Sequence, residues 1–505
     1  MKTHNSSLYK AWDERIRMGE SRFVRTELNH LSEKPIPRRE IAQLAGLARR
    51  AGLTHIGIRL LNPIVRPTPK RPMVATGVEK AEYAECLTRI GASDEALQIL
   101  RSLTENDAPQ THLFTASAYI SQWDYRNAIP LLAKYIRSPH VDSYWRLVGK
   151  INLAAALAYE RTFTKSIVLL REILYETSLR QLDLLYGNAL EVAAQTYVAQ
   201  KNWKEASRLL KRARVKLAQT NTRDQFFVQK WETITEFWKT KAAPSSVRQL
   251  KTLRQRALSL HHWETVRQCD AHMAVALGKQ DLFLQLYFGT PFPSFREHLI
   301  ADFPTAVILP ERYEWNIGKS ARDNVIFDLM GGARIGKKAG LKVGQLIHRL
   351  LTLLCRDFYR PVRVPTLHQA LYPDEHFNPV TSPARVHEAV RRLRLWFQQT
   401  RLPFHIEEED GQYRFTGKEG TALIVRAPEK IEGKADLLWI ESLRGERPME
   451  SFSIQEAANT LNRSVRTTLR LLDEAIKRGE LFRSGHSRAT RYHFAPEAGI
   501  VKKAS

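Results

Sequence analysis

One short pattern recurs along the first part of the chain: a small residue, two variable positions, then two aliphatics. It stands at Gly57 in GIRLL, Ala96 in ALQIL, Ala128 in AIPLL, Ser166 in SIVLL and Ala206 in ASRLL. The occurrences lie about 39, 32, 38 and 40 residues apart, near the ~34-residue period of paired-helix repeats. A small residue early in a helix lets that helix approach its neighbour, and aliphatics at helical spacing fill the seam between them. The pattern predicts a stack of helical hairpins. Further helical periodicity runs through ALSLHHWETVRQCDAHMAVAL to about Leu299, after a break at residues 242–246. Trp123, Trp145 and Trp203 are expected as core between helices rather than as lining of a groove.

The second part alternates differently. NVIFDLMGGARIGKKAGLKV predicts two short strands joined at Gly-Gly. GQLIHRLLTLLCRDF puts Leu346, Ile347, Leu350, Leu351 and Leu354 on one helical face, and TLHQAL forms a second short helix. After the Pro-rich loop YPDEHFNPVTSP, Pro383 suits the first position of a helix that buries Val386, Val390, Leu393 and Phe397. HIEEEDGQYRF predicts a strand, a turn and a strand. Near the C-terminus, Ser453 and Glu456 form a capping box for IQEAANTL. Ser464 caps the next helix, in which Val465, Leu469, Leu472 and Ile476 are expected to point inward. Gly479 ends that helix, and LFRSGHSRATRYHF predicts a two-stranded hairpin turning at Gly485.

Gly331, Gly336 and Lys337 have the spacing of a phosphate-binding loop, which would make the protein a nucleotide-driven enzyme. Such a loop requires Ser or Thr after the lysine to hold magnesium, together with the start of a helix. Here Lys338, Ala339 and Gly340 follow. The glycines are expected to turn a small sheet instead. No nucleophile–base motif or pair of acid/base carboxylates appears, and the chain is read as a non-enzyme without cofactor or metal. Cys269 and His272 lie three apart on a helix, but two ligands do not make a metal site; with His261 and His262 they are read as structural.

Three resemblances follow from these residues. The hairpins at residues 1–300 resemble tetratricopeptide-type repeats, which implies a groove for a protein or peptide partner. Residues 320–418 resemble the OmpR/PhoB-type DNA-binding domain, on VIFDL, the loop before the last helix, VRRLR and GQYRF. In that family the last helix enters the major groove, the wing meets the minor groove and the preceding loop contacts RNA polymerase. The resemblance therefore implies DNA contacts from Arg385, His387, Arg391, Arg392 and Arg394. Residues 450–495 resemble the winged helix-turn-helix of bacterial regulators, in which S-x-R-T opens the recognition helix. It implies base or phosphate contacts from Arg463, Ser464, Arg466, Thr467 and Arg470, with Arg483, Arg488 and Arg491 on the backbone.

Composition strengthens the nucleic-acid reading. The chain of 505 residues carries a formal net charge of +25, which favours polyanionic partners. Its length exceeds a single core. The N-terminus lacks the apolar stretch of a signal peptide, no run is long enough for a membrane span, and Cys86, Cys269 and Cys355 show no disulfide spacing. The expected location is cytoplasmic, with the nucleoid.

The fold class expected is mainly α: a tetratricopeptide-like α-solenoid followed by two small α+β winged-helix domains. The layout is an array at 1–300, a connector at 301–319, a winged helix at 320–418, a linker at 419–434, a second winged helix at 435–496 and a basic tail at 497–505. The function expected is a transcriptional regulator that binds double-stranded DNA, with a partner in the repeat groove. RNA polymerase contact and homodimerisation are compatible with it, and no membrane is involved. The alternative is an interaction scaffold whose winged helices bind proteins, favoured by the acidic run Glu407, Glu408, Glu409, Asp410 on the first wing and by the size of the array.

Overall fold

The computed structural model describes residues 4–31, 36–67, 72–218, 220, 222–305, 309–317, 325–334, 340–418, 420–426, 443, 451–461, 464–477, 481–485 and 490–494. Contacts divide the chain into two compact units. One holds residues 1–287, 292–307 and 362–386; the other holds residues 288–291, 308–361 and 387–505.

The first unit is built of antiparallel helices. They begin with α1 (His4–Arg17), α2 (Ser21–Leu31), α3 (Arg38–Arg50), α4 (Thr54–Val65), α5 (Gly77–Ile90) and α6 (Ser93–Arg101). They continue with α7 (Thr111–Ser121), α8 (Tyr125–Arg137), α9 (Ser143–Tyr159), α10 (Phe163–Leu179), α11 (Asp183–Ala199) and α12 (Trp203–Lys216). The last are α13 (Thr222–Lys239), α14 (Pro244–Ser259), α15 (Trp263–Leu277), α16 (Gln280–Phe288) and α17 (Pro293–Asp302). Each helix packs on the next from α3 to α15. Odd-numbered helices also touch their odd-numbered neighbours at α1–α3, α3–α5, α5–α7, α9–α11, α11–α13, α13–α15 and α15–α17. The odd helices thus form an inner layer and the even ones an outer layer, a helical-repeat architecture.

The recurring small residues sit where the sequence places them. Gly57, Ala96, Ala128, Ser166 and Ala206 lie on α4, α6, α8, α10 and α12, all buried. The Ser166 hydroxyl donates to the Ala154 carbonyl at 2.8 Å, so its polarity is satisfied inside the seam. The turns recur as well. After α7, α9, α11 and α14 a residue takes φ near the left-handed region: Trp123 at 60°, Arg161 at 59°, Lys201 at 60° and His261 at 56°. The next residue donates its N–H to the carbonyl five positions back, as in Asn202 to Tyr197 at 2.9 Å and His262 to Ala257 at 2.8 Å. That bond closes each helix end in a Schellman motif. Trp123 is core, packed among Tyr159, Phe292 and Phe295. Trp145 and Trp203 are only partly buried.

The second unit contains a sheet of order β1-β7-β2-β3, from β1 (Arg312–Ile317), β2 (Val325–Asp328), β3 (Ala333–Arg334) and β7 (Thr421–Arg426). Strand β7 is antiparallel to β1 and parallel to β2, with Leu423 opposite both Trp315 and Phe327. Strands β2 and β3 pair antiparallel through the Gly-Gly turn. Gly332 has φ of +69°, and a Cβ there would meet the Leu341 carbonyl at 2.4 Å, so glycine is required on both counts. Residues 335–339, including Gly336 and Lys337, lie outside the described residues. Strand β1 falls in the stretch read as a connector; its sequence, RYEWNI, alternates exposed and half-buried positions.

Next in the chain come α18 (Leu346–Leu354), β4 (Val362–Arg363), α19 (Val364–Leu371), α20 (Ser382–Gln399), β5 (Phe404–Glu409) and β6 (Gln412–Gly417). Strands β5 and β6 form an antiparallel hairpin. Phe404 meets Phe327, Phe397 and Phe415 at ring distances of 6.0, 5.6 and 5.1 Å. Val386, Val390, Leu393 and Phe397 are buried on α20. The C-terminal part comprises α21 (Ile454–Leu461), α22 (Val465–Lys477), β8 (Leu481–Ser484) and β9 (Arg491–Phe494) around Phe452, Leu471, Leu472, Leu481 and Tyr492. The Ser453–Glu456 capping box forms, with both reciprocal bonds present. One inward set is corrected: Val465 and Leu469 are exposed, while Thr468, Leu471, Leu472 and Ala475 face the core. Thr468 can be buried because its hydroxyl donates to the Ser464 carbonyl at 3.0 Å. The fold is a mainly α helical-repeat region followed by small mixed α+β modules.

Candidate functional site

The inner layer of the array gathers charged and amide side chains that an apolar core would exclude. At its N-terminal end, Arg49 on α3 reaches α5, where its guanidinium lies 2.5 Å from Glu82 and 3.9 Å from Glu85. Burial opposes the Arg49 charge, and the two carboxylates more than offset it, raising its pKa. Arg89 and Ser117 also donate to Glu85, at 2.8 and 3.2 Å. The contacts of Arg49 and Ser117 join residues more than thirty positions apart and lock one hairpin to the next, while Arg89 holds Glu85 from one turn along the same helix.

Farther along, the layer opens. On α11, Asn188, Glu191 and Gln195 fall on one helical stripe and are partly exposed. Gln195 donates to Glu191 at 2.6 Å. On α13, the Lys230 ammonium lies 4.7 Å from the centre of the Trp231 ring and 5.5 Å from that of Phe227, a cation–π setting. On α15, Gln268 and His272 stand one turn apart. The Trp238 indole donates to His272 Nδ1 at 3.0 Å, and Trp203 stacks on Trp238. Burial, with the Lys230 charge second, pulls the His272 pKa down to about 4, so the ring is a neutral acceptor.

The electrostatics of this stretch are unbalanced. Burial raises the pKa of Glu191 more than Lys230 lowers it, and burial lowers that of Lys230 more than Glu191 raises it. Burial presses both groups towards neutrality, and their mutual attraction offsets it only in part. Gln268 Oε1 is buried with no hydrogen-bond partner among the described residues. Such groups gain when a ligand supplies the missing hydrogen bonds. Apolar neighbours complete the stripe: Trp145, Val148, Ala155, Leu184 and Trp231 are partly exposed and packed on the core beneath. Amides and a weakly paired ion couple beside aliphatic and indole surface can bind a polypeptide, whose backbone needs both donors and acceptors. In sequence this set shows only as polar positions within apolar helices, such as the Asn, Glu and Gln of GNALEVAAQ, and nothing in one helix marks them as a site.

The cysteines are not nucleophiles. All three are buried; burial pushes the Cys269 thiol up to about 12 and those of Cys86 and Cys355 well above their usual value. Among the described residues, no group of three or more His, Cys, Asp or Glu could hold a metal ion, and no helix is long and apolar enough to cross a membrane.

The cations assigned to DNA are placed as follows. Arg385 pairs with Glu375 and lies over the Tyr372 ring at 3.9 Å. Arg391 and Arg392 both pair with Glu388, which they hold down to about 2. Arg394 donates to the Ile406 carbonyl, and His387 stands edge-on to Tyr413. Arg491 pairs with Glu456 at 2.9 Å. Ser464, Arg466, Arg470 and Arg483 are exposed. The side chain of Thr467, with Arg463, Gly479 and Arg488, lies outside the described residues, as does most of the 419–434 stretch. The loop at 372–383, expected to face RNA polymerase, is instead held within the first unit. Glu95 accepts the Phe377 N–H at 2.8 Å and Arg66 at 3.0 Å, and Thr366 donates to the Gly91 carbonyl at 2.8 Å.

No protein-family model matches the chain, and no curated protein matches it. Among solved structures it is similar to a Rap protein complexed with Competence and Sporulation Factor. The match has 12% identity and a TM-score of 0.41, and covers 59% of this chain and 88% of that one. The geometry does not support a DNA-binding transcriptional regulator, and that reading is corrected. The arginines of α20 are spent on carboxylates and a carbonyl of the chain itself, beside an acidic hairpin. On α22, Arg466 and Arg470 stand among exposed Val465 and Leu469, a mixture of arginine and apolar surface that suits protein contact.

Proposed function

We propose that the protein is a non-enzymatic interaction scaffold whose helical array takes a protein or peptide segment along the open part of its inner layer. The observation that carries this is the stripe across α11, α13 and α15. There Glu191, Lys230 and Gln268 lack full partners and stand beside partly exposed indole and aliphatic surface. The small α+β modules, read as winged helices, serve protein contacts in the same scaffold.

The test is selection of displayed random heptapeptides on the full-length protein, followed by titration of a selected peptide. Trp231→Ala and Gln268→Ala are each expected to weaken it about tenfold, close to 1.4 kcal/mol. Failure to select any peptide, or equal affinity for both variants and wild type, removes the inner layer as the site.

A further inference from the structure

The outer helices carry a second surface, independent of the inner-layer reading. On α10, Val168, Tyr175 and Leu179 are 52%, 74% and 72% exposed. Their spacing of seven and eleven residues brings them to within about 20° of one line on a helix, which runs about 16 Å along its axis. On α12, the next outer helix, the same spacing aligns Lys204, Lys211 and Val215, the last 74% exposed. Single exposed aliphatics need no explanation, but an aligned set this open marks an interaction surface.

Charge gives the surface a sign. Every carboxylate on α10 and α12 already has a cation: Glu172 and Glu176 face Lys150, Glu176 also takes Arg180, and Glu205 holds Arg208. Helix α14 carries no carboxylate. Lys165 and Arg171 on α10, Lys204 and Lys211 on α12, and Arg248 and Lys251 on α14 are exposed and have no carboxylate partner among the described residues.

We propose that the outer face of α10, α12 and α14 docks an acidic amphipathic helix of another protein, its apolar stripe against Tyr175 and Leu179 and its flanking carboxylates against the unpaired cations. A nucleic-acid backbone would satisfy the charges and leave the apolar line uncovered, and an anionic lipid surface would take up apolar side chains without matching their line; a helix of about three turns, about 16 Å long, matches both.

A library of displayed amphipathic helices, with a fixed leucine stripe and flanks free to be Asp, Glu, Lys or Arg, is selected on the full-length protein. Enrichment of Asp and Glu is expected. A selected helix should then lose about tenfold in affinity for Tyr175→Ser with Leu179→Ser, and again for Lys204→Gln with Lys211→Gln. It should bind Trp231→Ala as tightly as wild type, which separates this face from the inner layer. These positions are exposed, so helical content measured by circular dichroism should hold; Leu179→Gln alone serves if a pair disturbs it. Enrichment of Lys and Arg, no enrichment, or indifference to either pair overturns the proposal. So does a Ser pair that leaves binding intact while heparin or phosphatidylserine vesicles displace the helix, since the face would then be a general polyanion surface.

Discussion

Two regions of this molecule spend their charges differently. In the inner layer of the array, ion pairs join distant parts of the chain: Arg49 on α3 to Glu82 and Glu85 on α5. They bridge separate helices, are largely shielded from water, and fix which helix faces which. On α20 the pairs are local. Glu388 serves Arg391 and Arg392 one turn away, on an exposed face. Pairs of the first kind are costly to break and set register; those of the second kind contribute little stability and mainly cancel a field. The lesson concerns a net charge of +25: what a cation recognises depends on whether its own chain has already supplied a counter-ion.

The contrast can be broken at its strongest point. Arg49→Met takes the cation from the buried Glu82 carboxylate, while Glu85 keeps Arg89, and is expected to cost about 3–5 kcal/mol. Denaturant unfolding with the slope unchanged would read this; a loss below about 1 kcal/mol would make the inner pairs no different from surface ones.

An acid titration sharpens the same side. Burial holds His272 near about 4, below the ~6.5 of an unfolded histidine. The unfolded chain therefore binds more protons between those values. The stability His272 contributes is complete above the unfolded value and is lost as pH falls towards about 4. Across that window His272→Gln, which keeps an acceptor for Trp238, should flatten the profile by about 1–3 kcal/mol. Parallel profiles for variant and wild type would mean that His272 takes up its proton at the same pH in the folded and unfolded chain.

The smallest effect is expected on α20. Glu388→Gln should leave the unfolding midpoint unchanged and raise the salt needed to elute the protein from heparin, because Arg391 and Arg392 lose their partner. Unchanged elution would mean that those arginines were never neutralised by Glu388.

Much of the array was legible in sequence because its signals are local. The small residues at Gly57, Ala96, Ala128, Ser166 and Ala206 announce close helix contacts, and Pro244 starts α14 after the break at Lys241 and Ala242. The candidate site was not. Asn188, Glu191, Lys230 and Gln268 become a site only when α11, α13 and α15 are stacked, and the stacking register is invisible in one helix. Val465 and Leu469 misled because a locally satisfied threonine took the buried position expected for them. The pairing on α20 was readable, since Glu388 precedes its arginines by three and four residues, but resemblance to a DNA reader drew attention to the arginines alone. Strand β1 was missed for want of a nearby partner.

The sheet order β1-β7-β2-β3 also bears on how this chain emerges from the ribosome. Its central strand, β7, is the last of the four to be made, about a hundred residues after β1. Until Arg426 has been synthesised, β1 lacks its partner and β2 keeps one edge open, both available to another nascent chain. A polypeptide stopped just before β7 would therefore be more prone to aggregation than one stopped just after it, although the two differ by only 6 residues.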